Sequence, residues 1–237
     1  MKERDLPLPL PRQILTDSVY EAVKELVMDQ HIEPATRVNI DQLARTLKVS
    51  QTPVREALAR LEMDGLVIKE PLRGYYIAPI LDAAAFDQLY EVRMLLEPFA
   101  ARRATEQRTE ELITALRRED DSMRQTLDGR GAAVMLGYRE YREFAWQDAR
   151  FHEAIVNASG NELLRDAVIR LRSHLHLYRL YYTTGIGAET LAEHEKIVEA
   201  IAGGKPSAAG TAMEQHIRRS RERLALGATE AKRAVRT

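Results

Sequence analysis

The sequence predicts a mainly α-helical protein in two domains. The first, over residues 1–80, mixes helices with a hairpin, and the second, over residues 81–237, is an all-helical antiparallel bundle. Three observations predict this. Apolar residues recur at helical spacing through most of the chain, strand-like runs are confined to residues 66–78, and Gly and Pro gather at a few narrow breaks.

A Pro-rich arm (Pro7, Pro9, Pro11) precedes a first helix expected from Thr16, or Asp17 as N-cap, to about His31, with Val19, Ala22, Val23, Leu26 and Val27 on one face. Glu33-Pro34-Ala35 breaks it. A short helix over 41–47 follows, and Ser50 then caps a third helix over 52–64 whose Val54, Ala57, Leu58 and Leu61 form an inward stripe. Gly65 stops that helix. The runs 66–70 and 75–78 read as two short strands around Pro71-Leu72-Arg73-Gly74. Helix, short helix, helix and hairpin in this order make a winged helix-turn-helix plan. Beyond Leu81 six helices are expected, over 82–107, 109–128, 131–157, 161–183, 188–203 and 206–227, with Pro98 kinking the first and a frayed tail carrying Lys232, Arg233 and Arg236. Short Gly-containing breaks between them favour antiparallel neighbours.

Composition excludes several classes of function. With 45% hydrophobic and 30% charged residues the chain is ordinary for a globular protein. No run approaches the roughly 18 apolar residues of a membrane span, and the N-terminus MKERDLPLPLPR has no apolar core for a secretory signal, so a cytoplasmic location is expected. Without cysteine there are no disulfides, thiolate nucleophiles or Cys-ligated metals. Net charge is −1, and the first 80 residues hold 11 basic and 12 acidic side chains. A nucleic-acid role must therefore rest on a local motif.

That motif is Ser50-Gln51-Thr52-Pro53-Val54-Arg55. A helix that reads a major groove presents donors near its N-terminus while its far side packs inward. Ser50 and Thr52 can bond phosphate or cap the helix, and Gln51 can read a base edge. Arg55, one turn on, can address guanine or a phosphate. Arg73 and Gly74 are expected at the wing tip, where glycine lets backbone approach a minor groove. The same plan also serves small protein-binding domains. The run LARTLKVSQTPVREALARLEMDGLV, followed by RGYYIAPI, closely resembles the GntR family of bacterial transcription regulators, and this implies DNA binding. The departures are Gln51 where the family usually has a guanine-reading Arg, Asp41 near a basic or polar contact of some members, Lys48 for the turn Gly, and Ala35 for the Gly after Pro34. Losing one arginine alters affinity or base preference by about 1–3 kcal/mol per half-site.

The second signal is histidine. Asp148 and His152 stand one turn apart on a face with Ala145, Ala149, Ile155 and Val156. His194 shares a stripe with Leu191, Ile197, Val198 and Ile201, and His216 one with Ala209, Ala212, Met213 and Ile217. One inward histidine is usually a hydrogen-bonded core residue. Three, with a carboxylate at i−4, point to a metal site. His31, His174 and His176 lack such partners and read as structural or surface residues. The pattern D...FH..I..ASGN, then EHEKIVEAI, then a late His resembles the FCD domain that follows the winged helix in the FadR-type branch, and the six-helix count its VanR-like subgroup. The resemblance implies that Asp148, His152, His194 and His216 bind a divalent metal. The His₃Asp donor set suits zinc or nickel. It also implies that Arg93, in VRMLLE, lies near a small carboxylate effector, although an i+4 salt bridge to Glu97 is an equal reading. Thr190, just before His194, is a further candidate cavity residue.

The leading reading is a homodimeric, metabolite-responsive regulator, a repressor, that binds double-stranded operator DNA. Two alternatives stand beside it. One is a metal-dependent enzyme, for which no HExxH-type motif or second carboxylate pair is present. The other is a regulator whose metal is purely structural.

Overall fold

Helix α1 (Arg12–Met28) starts directly after Pro11, earlier than Thr16. The residues described in the computed structural model are 12–28, 31–127, 138–171 and 187–234. The chain divides into two compact units, residues 1–80 and 81–237, and each is treated by itself. Thr16 and Asp17 do not cap α1. Their side chains instead fasten it to α3 (Gln51–Met63): Thr16 Oγ1 donates to Glu56 Oε2 at 2.9 Å, and Asp17 pairs with Arg60 at 2.5 Å. Beyond these anchors Val19, Val23 and Val27 are buried, facing Val54, Ala57, Leu58 and Leu61, the stripe expected for α3.

Helix α2 (Ile40–Leu47) opens at Asn39, whose side chain accepts from the Gln42 backbone N–H at 3.0 Å, and closes at Lys48 in the left-handed region (φ 55°). Ser50 occupies the N-cap of α3 but makes no side-chain capping bond. Pro53 costs nothing at the third helical position, because first-turn N–H groups have no intrahelical acceptor. Strands β1 (Val67–Glu70) and β2 (Gly74–Ile77) pair antiparallel, with Val67 opposite Ile77 and Glu70 opposite Gly74. Residues 35–38, which carry no strand pattern in the sequence, extend this sheet. Ala35 N donates to Ile77 O, Ile77 N to Thr36 O, and Val38 N to Tyr75 O at 2.8–3.0 Å.

The second unit begins with α4 (Ala83–Glu106), capped by Asp82 accepting from Ala85 N–H at 2.8 Å; Pro98 stands inside α4 without ending it. Then come α5 (Glu110–Leu127), α6 (Tyr138–Asn157), α7 (Glu162–Arg170), α8 (Gly187–Ala202) and α9 (Pro206–Ala234). The expected helix over 161–183 is described only to Arg170; His174 and His176 lie outside the described residues, and His31 is exposed. The expected fraying beyond 227 is not found, since α9 continues to Ala234. Tyr90, Ala101 and Ala104 of α4, Leu116 of α5, Phe151 and Ile155 of α6, Ile197 and Ile201 of α8, and Met213 and Ile217 of α9 form one core. Gly204, with φ 62°, makes the tight turn between α8 and α9, where a Cβ would meet the Arg108 guanidinium at 2.7 Å.

Ala35, Lys48 and Leu72 all hold positive φ without being glycine. For an L side chain the left-handed conformation costs roughly 1–2 kcal/mol, against a glycine entropy cost of about 0.5–1 kcal/mol. Lys48→Gly is expected to stabilise the first unit by about 0.5–1 kcal/mol in urea unfolding; a loss of stability would contradict this account of the turn.

Candidate metal centre and nucleic-acid interface

The inward stripes of α6, α8 and α9 carry polar residues that apolar packing alone does not require. Asp148 and His152 project from α6, His194 from α8 and His216 from α9. One donor atom from each lies within 4.8 Å of the other three. All four residues are thus gathered at one point. The three imidazoles are buried; Asp148, its side chain 27% exposed, forms the open side.

The orientation of each ring is fixed by a carboxylate. His152 Nδ1 lies 2.6 Å from Glu97 Oε2, His194 Nδ1 2.9 Å from Asp120 Oδ1, and His216 Nδ1 3.0 Å from Glu193 Oε2. Behind these, Arg93 contacts Glu97 through Nε at 2.6 Å, and Arg223 grips Glu193 through both terminal nitrogens at 2.7 and 2.9 Å. Phe151 stacks on the His194 ring, centroids 3.8 Å apart. With Nδ1 committed outward, every Nε2 faces the common centre. His152 Nε2 and His216 Nε2 are 3.2 Å apart. His194 Nε2, buried and without a hydrogen bond among the described residues, stands 3.4 Å from Asp148 Oδ1. Two Nε2 atoms this close, if each presents a lone pair, repel unless a cation lies between them. Bonds of about 2.1 Å put metal donors roughly 3.0–4.2 Å apart, so this donor set fits a divalent ion after small side-chain shifts.

The electrostatics follow from the same contacts. Burial raises the Asp148 carboxyl, but His194, His152 and His216 overcome this and hold it well below the usual carboxylate range. Glu97 is likewise pushed up by burial and brought down further by Arg93 and His152. Glu193 settles at about 2, because His216 and Arg223 outweigh its burial. Burial lowers both His194 and His216. The carboxylates of Asp120 and Asp148 reverse this for His194 and raise it to about 9, whereas neighbouring imidazoles help hold His216 down at about 3.

Arg93 is buried and tied to Glu97, so the i+4 pair foreseen from the sequence forms, and it backs His152. Thr190 is buried one turn before His194. Glu97 entered the sequence reading only as a partner for Arg93, while Asp120, Glu193 and Arg223 were missed. A signal existed for Asp120, which continues the inward series Leu112, Leu116 and Met123 of α5.

In the first unit Ser50, Gln51, Thr52 and Arg55 are all exposed at the start of α3. Gln51 Nε2 donates to Asp41 Oδ1, and Arg55 Nη2 donates to Gln51 Oε1 at 3.4 Å. The wing needs a correction. Gly74 is the first residue of β2, and its φ of 102° is a backbone requirement rather than a tip conformation. The tip is Leu72, fully exposed with φ 62° behind Pro71, as in a type II turn closed by Arg73 N–H donating to Glu70 O at 3.1 Å. Arg73 is exposed, pairs with Glu70 at 2.8 Å and lies over the Tyr76 ring. Arg37, which the sequence reading did not single out, extends beside Gly74, placed there by its bridge to Tyr76.

Comparison with known proteins agrees with both units. Residues 15–77 match the model for bacterial regulatory proteins of the gntR family, and residues 88–219 match the FCD domain. The chain is similar to the uncharacterized HTH-type transcriptional regulator YdhC of Bacillus subtilis (strain 168), 31% identical over 84% of each chain. It is also similar to the regulator LutR of the same organism, 31% identical over 81% of this chain and 93% of that one. The gluconate operon transcriptional repressor of Bacillus licheniformis is 30% identical over 56% of this chain and 50% of its own length. In fold the chain resembles E. coli McbR/YncC, with a TM-score of 0.69 at 20% identity, over 90% of this chain and 97% of that one. No helix among the described residues is long and apolar enough to cross a membrane. The family is one of transcription regulators rather than enzymes, and the chain, with its gntR helix-turn-helix and FCD domain, belongs to it as a DNA-binding transcription regulator.

Proposed function

We propose that this regulator is a cytoplasmic homodimeric repressor whose operator affinity is set by a small carboxylate metabolite bound beside a divalent ion in the second unit. The observation that carries this reading is the convergence of three carboxylate-oriented imidazoles and Asp148 on one point. Asp148, His152, His194 and His216 would hold the ion, with zinc or nickel best suited to the donor set. Bound there, the ion supplies Lewis-acid positions for carboxylate oxygens. In this reading Thr190, one turn from His194, borders the effector space, and Arg93, paired with Glu97 behind His152, acts on it through that imidazole. Asp148 marks the side from which a ligand arrives, being the least buried of the four.

Dimerisation is supported by α4. Val92, Leu95 and Phe99 are large apolar side chains exposed by 37, 74 and 43%, at spacings that place them along one side of the helix. A row of this kind suits burial against a second copy across a two-fold axis. For the first unit, the exposed donors of α3 and Arg73 suit a groove and its phosphates, and two copies suit a two-fold operator. That a relative is named a repressor favours repression over activation.

His152→Ala with His216→Ala is expected to reduce bound metal, read by elemental analysis, from about one ion per chain to a small fraction. The thermal stabilisation of the metal-loaded protein by a carboxylate library should vanish with it. Stoichiometric metal in the double variant would rule out this donor set, and carboxylates that never shift the metal-loaded protein would leave the ion a structural clamp. Arg55→Ala should weaken binding to a selected operator about 10–100-fold per half-site, measured by fluorescence anisotropy at fixed salt. Leu95→Glu should convert the dimer to a monomer in light scattering; an unchanged mass would place the interface elsewhere.

A further inference from the structure

Gln51 carries two kinds of hydrogen-bonding group, a carbonyl oxygen that accepts and an amide nitrogen that donates twice. Both ends are engaged within the first unit. The nitrogen donates to Asp41 across the turn between α2 and α3, and the oxygen accepts from Arg55 at 3.4 Å, one helical turn on. Chemistry fixes which end of the amide is which. An ionised carboxylate only accepts and a guanidinium only donates, so the reverse orientation would lose both bonds. Asp41, Gln51 and Arg55 are all exposed, and Asp41 and Gln51 line an open notch with Arg45 and Lys48.

A carboxylate on a surface that meets phosphates works against binding by repulsion. Among the described residues Asp41 pairs with the Gln51 amide, so what it contributes is the orientation of that amide. An unrestrained glutamine reads adenine with both ends, donating to N7 and accepting from the N6 amino group. Here Arg55 takes one of the oxygen's two lone pairs and Asp41 takes one N–H. What Gln51 and Arg55 turn outward is then one amide N–H, the remaining guanidinium N–H groups and a single oxygen lone pair drawn toward Arg55. Donors outnumber acceptors on this edge. It matches the two acceptors of guanine, O6 and N7, better than adenine, whose amino group competes with Arg55 for that oxygen.

We propose that Asp41 is a specificity-determining residue: by orienting Gln51 it turns the amide oxygen toward Arg55 and biases the start of α3 to guanine over adenine. The inference rests on the reading above that α3 enters the major groove. Asp41 acts through Gln51 and is a positioning residue.

The test is selection of bound duplexes from a random library by the full-length protein, followed by affinity measurements on the selected site with guanine or adenine at the position read by the Gln51–Arg55 pair. The wild type should favour guanine roughly 10–100-fold. Asp41→Ala should still bind, since the residue is exposed, but with the preference reduced to less than about 3-fold or turned toward adenine. Nonspecific binding should not weaken, because a negative charge has been removed. Circular dichroism verifies that the variant folds, and Arg55→Ala serves as the control for groove reading. If Asp41→Ala selects the same site with the same ratio while Arg55→Ala loses it, the orienting role of Asp41 is overturned and the groove reading stands. If neither variant changes selection, both are overturned. A wild type that favours no guanine there also overturns the proposal.

Discussion

Buried polar groups must find partners, and in the second unit this requirement organises everything around three imidazoles. A histidine taken from water into a helical core is costly unless both ring nitrogens are satisfied. Each Nδ1 here meets a carboxylate from a different helix: Glu97 from α4, Asp120 from α5 and Glu193 from α8. Those carboxylates are themselves buried, and two of them are held by arginines, Arg93 and Arg223. The polar network therefore reaches five of the helices that enclose the apolar core. Among the described residues, the atoms it leaves without a hydrogen bond include His194 Nε2, turned toward Asp148. The packing of the bundle and the chemistry of its centre are one problem with one solution.

The reach of the sequence reading follows from what each signal depends on. Helix periodicity and Gly breaks depend on local physics, and they placed α2, α3, the hairpin, α4, α5 and α8 within a few residues. The start of α1 was misplaced because Thr16 and Asp17 look like caps, yet their side chains are taken by Glu56 and Arg60 some 40 residues away. No local rule anticipates that tertiary contact. The bridge of Arg37 to Tyr76 is long-range in the same sense and left no pattern. The wing tip was misassigned because glycine seemed the natural residue for it, whereas a leucine carries the positive φ.

For the site, ligand residues were easier to find than their supports. Histidine on an apolar face stands out because it is rare there. Acidic residues are common on helix surfaces, so Asp120, inside the run Arg118-Glu119-Asp120-Asp121, was indistinguishable by type from solvated charge. Only its phase with Leu112 and Leu116 marked it. Arg93 shows the opposite difficulty, since the residue was noticed but its i+4 pair and a ligand contact predict the same sequence pattern. In the folded chain that pair lies behind His152, so the arginine touches the centre through an intermediary.

The doubled attachment of α9 to α8 has a mechanical result. His216 and Arg223 stand two turns apart on α9, and both end on Glu193. Axial slippage by one turn, about 5.4 Å, would break both attachments together and strand a carboxylate in the interior. The two helices are thus pinned lengthwise at Glu193.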